Sequence, residues 1–260
     1  MNKKIKKILN KKKKSKLVCL TAYSKNVASI LDEHCDIVLV GDSLGSVLYN
    51  YKSTKEVTLD NMINHSKSVR LGVKKSLMVV DMPYNTYRNP KEALKNAKLI
   101  IKKTKCDAVK LEGGKKVLSI VKKLVKNKIA VMGHLGILPQ TDKKFSFKGK
   151  KSLERNRILK EAQLLESAGI FSIVLECIEI ELSKLITKKL TIPTIGIGSS
   201  VNCDGQVLVI DDIIGLSESK LRFVKKYANI NKVINVAVKK FKSDVLKKQF
   251  PRSKHSFKIR

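Results

Sequence analysis

Residues 77–112 read LMVVDMPYNTYRNPKEALKNAKLIIKKTKCDAVKLE, and this stretch decides the fold. An apolar run at 77–81 gives way to a polar tip, then to helical periodicity over 90–104, then to a second apolar run at 108–112. Near-continuous apolar strands joined by a helix read as neighbouring parallel strands of a sheet covered on its outer face. The unit recurs in both directions. Further apolar runs at 17–22, 36–41, 129–134, 171–176, 192–198 and 206–210 bring the strands to eight. Helical segments at 24–34, 59–71, 115–126, 153–168 and 181–189 join that at 90–104 to fill six of the gaps.

At 260 residues the chain has the usual length of an eight-stranded α/β barrel. The predicted fold is a parallel (βα)8 TIM barrel in one domain over residues 1–260. An open doubly wound sheet is the alternative, but it would carry a glycine-rich turn after its first strand, where this chain has Thr21-Ala22-Tyr23. No convincing helix fills the gap between the seventh and eighth strands, and helical pattern over 211–260 predicts extra C-terminal helices. Residues 1–16 hold nine lysines and no acid, yet Ile5, Ile8 and Leu9 fall at i, i+3 and i+4. That spacing makes one apolar face of a short N-terminal docking helix.

Composition narrows the classes of function. An apolar share of 43% suits a packed core and exceeds what disordered chains carry. No apolar run approaches the ~18 residues of a membrane span, and the Lys-rich start lacks the core of a secretory signal. A cytoplasmic protein with no membrane partner is expected. Cys19, Cys35, Cys106, Cys177 and Cys203 are scattered without a C-x-x-C pair, so they read as buried thiols. The formal charge of +33 raises the question of a nucleic-acid partner. The lysines are spread through every helical segment rather than interleaved with aromatics on one stripe, so they read as a solvated coat.

A barrel gathers its strand ends at one face, where distant residues can surround one small molecule. In order, those ends carry Asp42 and Ser43, then Asp81, then Lys110 and Glu112, then His134, then Glu176. One such Asp is most simply a helix N-cap. Four carboxylates above a low-dielectric barrel would repel unless a cation or a shared proton compensates. Asp42, Asp81 and Glu112 offer oxygen only, which favours Mg²⁺ or Mn²⁺ over zinc. Such an ion leaves positions for a bidentate 2-oxo acid and can stabilise its enolate as a Lewis acid. Lys110 as a Schiff-base nucleophile needs a depressed pKa, and flanking carboxylates push the other way. It reads as a permanent cation for a substrate carboxylate, with Ser43 as a nearby donor. Glu176 is a carboxylate beyond the metal set whose role the pattern does not single out. For His134, support of a neighbouring ligand and direct substrate contact both stay open.

The ordered motifs are more specific. They are Leu20 to Tyr23 (LTAY), Val40 to Val47 (VGDSLGSV), Val57 to Leu59 (VTL), Asp81 to Pro83 (DMP), Val109 to Gly114 (VKLEGG), Gly133 to Gly136 (GHLG) with Pro139-Gln140, Val174 to Cys177 (VLEC), Ile192 to Gly198 (IPTIGIG), Asp204 to Val209 (DGQVLV), and Phe250-Pro251 followed by His255 to Phe257. Nearly end to end, the chain resembles the ketopantoate (3-methyl-2-oxobutanoate) hydroxymethyltransferase family of the phosphoenolpyruvate/pyruvate barrel superfamily.

The resemblance implies transfer of a hydroxymethyl group from 5,10-methylenetetrahydrofolate to 3-methyl-2-oxobutanoate through a Mg-stabilised enolate, giving 2-dehydropantoate for pantothenate and coenzyme A. By matching position it implies Asp42, Asp81 and Glu112 as the Mg²⁺ site, Asp42, Ser43, Asp81 and Lys110 as substrate contacts, and Glu176 as proton acceptor. It also implies a homo-oligomer, a decamer in many members, with no specific nucleic acid. The alternative within enzymes is a Mg-dependent 2-oxo acid lyase or mutase of the same superfamily, which would need no folate. Three departures stand out: Lys143-Lys144-Phe145-Ser146-Phe147 where the family has a glycine-rich loop, Ser199-Ser200 after IGIG, and Asn50 where Gly is usual. Asn tolerates left-handed backbone angles. The loop changes bear on the folate contacts.

Overall fold

Eight strands close into a parallel barrel in sequence order: β1 (Leu17–Thr21), β2 (Ile37–Val40), β3 (Leu77–Asp81), β4 (Ala108–Lys110), β5 (Val131–Gly136), β6 (Ser172–Glu176), β7 (Thr194–Ile197) and β8 (Gly205–Leu208), with β8 pairing back to β1. The computed structural model describes residues 2–142 and 146–258. Every position of β2 and β3 is buried, as continuous apolar strands under an outer helical layer require. Among the described residues, eight α-helices belong to the barrel's chain up to β8: α1 (Lys3–Asn10), α2 (Lys25–His34), α3 (Leu44–Tyr49), α4 (Leu59–Gly72), α5 (Pro90–Thr104), α6 (Leu118–Lys126), α7 (Ser152–Ser167) and α8 (Ile180–Lys189). As expected, no helix separates β7 from β8.

Local chemistry sets the helix ends. Asn89 caps α5 by accepting from the N–H groups of Lys91 and Glu92, with Pro90 in the first turn. Thr58 and Asn61 form a reciprocal capping box on α4. The short α3 was not foreseen. It ends at Asn50, whose φ of 55° is the left-handed angle the Gly-to-Asn departure has to accept.

The N-terminal helix docks as its apolar spacing predicted. Ile5 and Ile8 are buried in one cluster with Leu17, Ile37, Leu77 and Met132 from the strands. Each such side chain contributes ~1.5–3 kcal/mol on burial. Lys12 Nζ pairs with Asp204 Oδ2 at 2.7 Å, tying the segment after α1 to the start of β8.

Residues 1–210 form one compact unit and 211–260 a second. After α9 (Ile210–Ile213), residues 214–229 carry no helix, and the helical pattern of the C-terminal segment is realised in α10 (Ile230–Leu246). Asn229 caps α10 through the N–H of Lys232. Among the described residues, no helix is long and apolar enough to cross a membrane.

Candidate active site

The strand ends bring the chemistry-bearing residues together at one face. Asp81 and Lys110 are the last residues of β3 and β4 and are register partners. Their side chains meet at 2.9 Å, Lys110 Nζ to Asp81 Oδ1, with both buried. Beyond β2 the chain turns through Gly41, where an added Cβ would stand 2.9 Å from Ser43 Oγ and 3.5 Å from Asp81 Oδ2. That close approach lets the Asp42 N–H donate to Asp81 Oδ2 at 3.1 Å. Ser43 Oγ is 2.8 Å from the hydroxyl of Tyr23, which follows β1.

Glu112 and Glu176 are joined by His134. Its Nδ1 lies 3.2 Å from Glu112 Oε1 and its Nε2 lies 3.2 Å from Glu176 Oε2. Both contacts are at ion-pair distance but outside hydrogen-bond alignment. β5 runs on to Gly136, so His134 sits inside the strand, and Gly136 is the register partner of Glu176.

Sequence reasoning missed two participants. Gln140 donates from Nε2 to Asp42 Oδ2 at 2.8 Å and to the carbonyl of Met82 at 3.0 Å, while its backbone N–H donates to Glu112 Oε2 at 3.1 Å. The Tyr87 hydroxyl donates to Gln140 Oε1 and accepts from the Glu112 N–H at 3.4 Å. Their only sequence signals were a Pro139-Gln140 motif and an aromatic in the loop after β3. Of the departing loop, residues 143–145 lie outside the described residues. Ser199 Oγ donates to the Leu175 carbonyl and accepts from the Ile178 N–H, so that departure braces the end of β6.

Crowding of acid groups away from water dominates the electrostatics. Burial first, then Asp81 and Glu112, push Asp42 up to about 8, against the opposing Lys110 and the Gln140 amide. Burial likewise raises Asp81, although Lys110 opposes it. Burial alone would lower Lys110, but Asp81, Glu112 and Asp42 outweigh it and hold the ammonium charged. Burial would also lower His134, yet Glu112 beside it lifts the imidazole to about 9. Burial would raise Glu112, but His134, with smaller help from Lys110, holds its carboxyl below the usual range.

The site is therefore acid-rich, with one buried lysine among Asp42, Asp81 and Glu112 and one of those acids driven to hold a proton. Among the described residues, no three Asp, Glu, His or Cys side chains converge as a preformed metal cage. The oxygens of Asp42, Asp81 and Glu112 are instead engaged by Gln140, Lys110 and His134.

Residues 2–253 match the family described as Ketopantoate hydroxymethyltransferase. A 3-methyl-2-oxobutanoate hydroxymethyltransferase of Pelagibacter ubique is 68% identical over 257 residues, covering 99% of this chain and 100% of the relative. One from Rhizobium etli is 46% identical over 249 residues, covering 94% and 91%. Among solved structures, a phosphonopyruvate hydrolase complexed with oxalate and Mg++ superimposes with a TM-score of 0.62 at 9% identity, over 97% of this chain and 93% of its own. A 2,3-dimethylmalate lyase of the PEP mutase/isocitrate lyase superfamily gives 0.59 at 12% identity, over 80% and 79%. At such identities the structural likeness speaks for the barrel alone. The two sequence relatives span nearly the whole chain, and with the match over residues 2–253 they place it in the ketopantoate hydroxymethyltransferase family.

Proposed function

We propose that this chain transfers the one-carbon unit of 5,10-methylenetetrahydrofolate to C3 of 3-methyl-2-oxobutanoate, giving 2-dehydropantoate for pantothenate and coenzyme A synthesis. One observation carries the reading: Asp42, Asp81, Lys110 and Glu112 gather at the ends of β2 to β4, while Glu176 ends β6, with His134 between the two sets. An oxo acid held by its oxygens on the first side presents C3 to the second.

The donor set suits a hard divalent cation. Three buried carboxylates face Lys110 and His134, and Asp42 is still pushed up to about 8 by burial and its acidic neighbours, so its corner of the site is short of positive charge. Held by Asp42, Asp81 and Glu112, Mg²⁺ would supply Lewis-acid stabilisation of negative charge on the oxo oxygen. Lys110, permanently charged, binds the substrate carboxylate beside Asp81, with the Ser43 hydroxyl as a further donor. Glu176 takes the proton released when the C3–H bond breaks. The new C–C bond forms to the donor's methylene carbon, water supplies the hydroxyl oxygen, and tetrahydrofolate leaves. A positioned base of this kind contributes ~10²- to 10⁴-fold.

The test is direct. Purified protein should form 2-dehydropantoate only when oxo acid and methylenetetrahydrofolate are both present, and chelation should stop it until Mg²⁺ is returned. Oxo-acid consumption without the folate would favour the lyase or mutase reading.

A cytoplasmic homo-oligomer belongs to the same proposal. Ile234, Val238, Phe241 and Val245 form an apolar stripe on α10 that is exposed along its length, a surface suited to a second copy of this chain. Light scattering should then report a particle heavier than the 29.2 kDa chain.

A further inference from the structure

A cavity of about 380 Å³ lies at the C-terminal face, walled by the loops after β3, β4 and β5 and by α7. It shares Glu112 and Tyr87 with the carboxylate cluster. Because Glu112 reaches Glu176 through His134, the cavity stands only those two side chains away from the proposed base. Its volume falls in the ~300–1,000 Å³ range of small-molecule pockets.

The lining has a definite chemistry. Val117, Leu138 and Ile158 supply apolar wall, and Tyr84 and Tyr87 supply aromatic surface. Half-buried Glu161 is the acid on the α7 side, packed so closely over Gly114 that a Cβ there would lie 2.2 Å from its carboxyl carbon. The Lys115 N–H donates to Glu161 Oε1 at 3.2 Å. Among the described residues, no side-chain cation pairs with this carboxylate. Lys116 and Arg157 line the same cavity, and both are exposed. Among the described residues Arg157 pairs with Glu154 alone, at 3.9 Å, so its charge is largely uncommitted there.

Arg88 and Lys148 also line the cavity but are paired with Glu92 and Asp142. An aromatic and apolar slot with the Glu161 carboxylate on its α7 side and the exposed Lys116 and Arg157 at its rim suits a flat heteroaromatic ring that offers adjacent N–H donors and trails an anionic tail. A carboxylate accepts two parallel hydrogen bonds from such an edge, and a π-face packs on tyrosine. We infer that this cavity receives the one-carbon donor, with Glu161 accepting from the N–H and amino groups of its pteridine ring and Lys116 and Arg157 meeting the carboxylates of its tail. The inference rests on the transfer reading above, which supplies the identity of the donor but not its place.

The test measures tetrahydrofolate binding by calorimetry and donor KM in the full-length protein, with C3 proton exchange of the oxo acid followed in parallel. Glu161→Gln should weaken tetrahydrofolate at least ~10-fold, the loss expected for hydrogen bonds to a charged acceptor. Oxo-acid affinity and exchange should stay within about twofold. Arg157→Gln, at an exposed side chain, should raise donor KM by a few-fold and flatten its dependence on salt, and it carries the test if Glu161→Gln does not fold. A folate-dependent wild type whose donor affinity survives both substitutions would place the donor elsewhere and overturn the assignment while sparing the transfer reading. A wild type that consumes the oxo acid without binding tetrahydrofolate would overturn both.

Discussion

His134 Nε2 lies 3.2 Å from Glu176 Oε2, so the carboxylate proposed as base rests against an imidazole that is itself buried. Adjacent strands put them there, because β5 and β6 run in register with Gly136 opposite Glu176. The other ring nitrogen faces Glu112. One side chain thus touches both a proposed cation ligand and the proposed base, and an imidazolium can donate to both where a neutral ring can donate to one.

That contact has a pH signature in the metal-free protein. Burial opposes protonation of His134, but Glu112 raises it to about 9, above the ~6.5 of an unfolded histidine. The stability it contributes is fully present below ~6.5 and is lost as pH rises through about 9, with an upper bound of ~3 kcal/mol. Urea unfolding of wild type and His134→Gln should therefore differ at pH 6 and converge by pH 10. A gap independent of pH would contradict the raised value.

Asp42 shifts in the same direction as His134, although here the protonated form is the neutral one. Its folded pKa of about 8, raised by burial and by Asp81 and Glu112, lies above that of the unfolded chain. The folded state holds a proton the unfolded state releases, so stability falls as pH rises from ~4 through about 8. Asp42→Asn keeps an acceptor for the Gln140 amide and removes the charge. Its Tm in chelator should exceed that of wild type by a margin that grows between pH 5 and pH 8. A margin that shrinks would show that Asp42 ionises freely.

Much of this site was legible because a barrel converts sequence position into place. Asp81, Lys110 and Glu176 end apolar runs, and the parallel register brings such ends to one face. The connections were harder to read. Gln140 and Tyr87 come from loops, and their contacts with Asp42 and Glu112 depend on how those loops fold over the strands. His134 was visible as a strand residue, but nothing in its spacing says that it spans two carboxylates. Glu176 drew its role from family resemblance alone. In the C-terminal segment, apolar spacing over 214–229 formed no helix, and Gly215 turns the chain there with a φ of 68°.

Lys110 should behave as a fixed cation. Asp81, Glu112 and Asp42 overcome the effect of burial and keep it protonated, which removes the free amine a Schiff base needs. Borohydride added with the oxo acid should trap no adduct by mass spectrometry, and Lys110→Arg should retain partial oxo-acid binding. A reduced adduct on Lys110 would overturn its assignment as a charge clamp.

Gln140 should matter although it carries no charge. It links Asp42 and Glu112, two of the three proposed cation ligands, and outer partners of this kind are worth ~10–100-fold in metal affinity. Gln140→Ala should weaken Mg²⁺ by that factor in calorimetry while the far-UV spectrum is unchanged. Unaltered Mg²⁺ affinity would mean that its bonds serve packing only.

The central claim is the division of labour between the oxygen-binding set at β2 to β4 and Glu176 at β6. Proton NMR of the C3 methine of 3-methyl-2-oxobutanoate in D₂O, with Mg²⁺ and no folate, tests it most directly, because enolisation precedes carbon transfer. Wild type should exchange that proton for deuterium. Glu176→Gln, which keeps the shape and removes the base, should bind Mg²⁺ and oxo acid within a few-fold of wild type and show exchange reduced at least ~10²-fold. Exchange at the wild-type rate would make another residue the base, with His134 next in line, and loss of Mg²⁺ binding would move Glu176 into the ligand set.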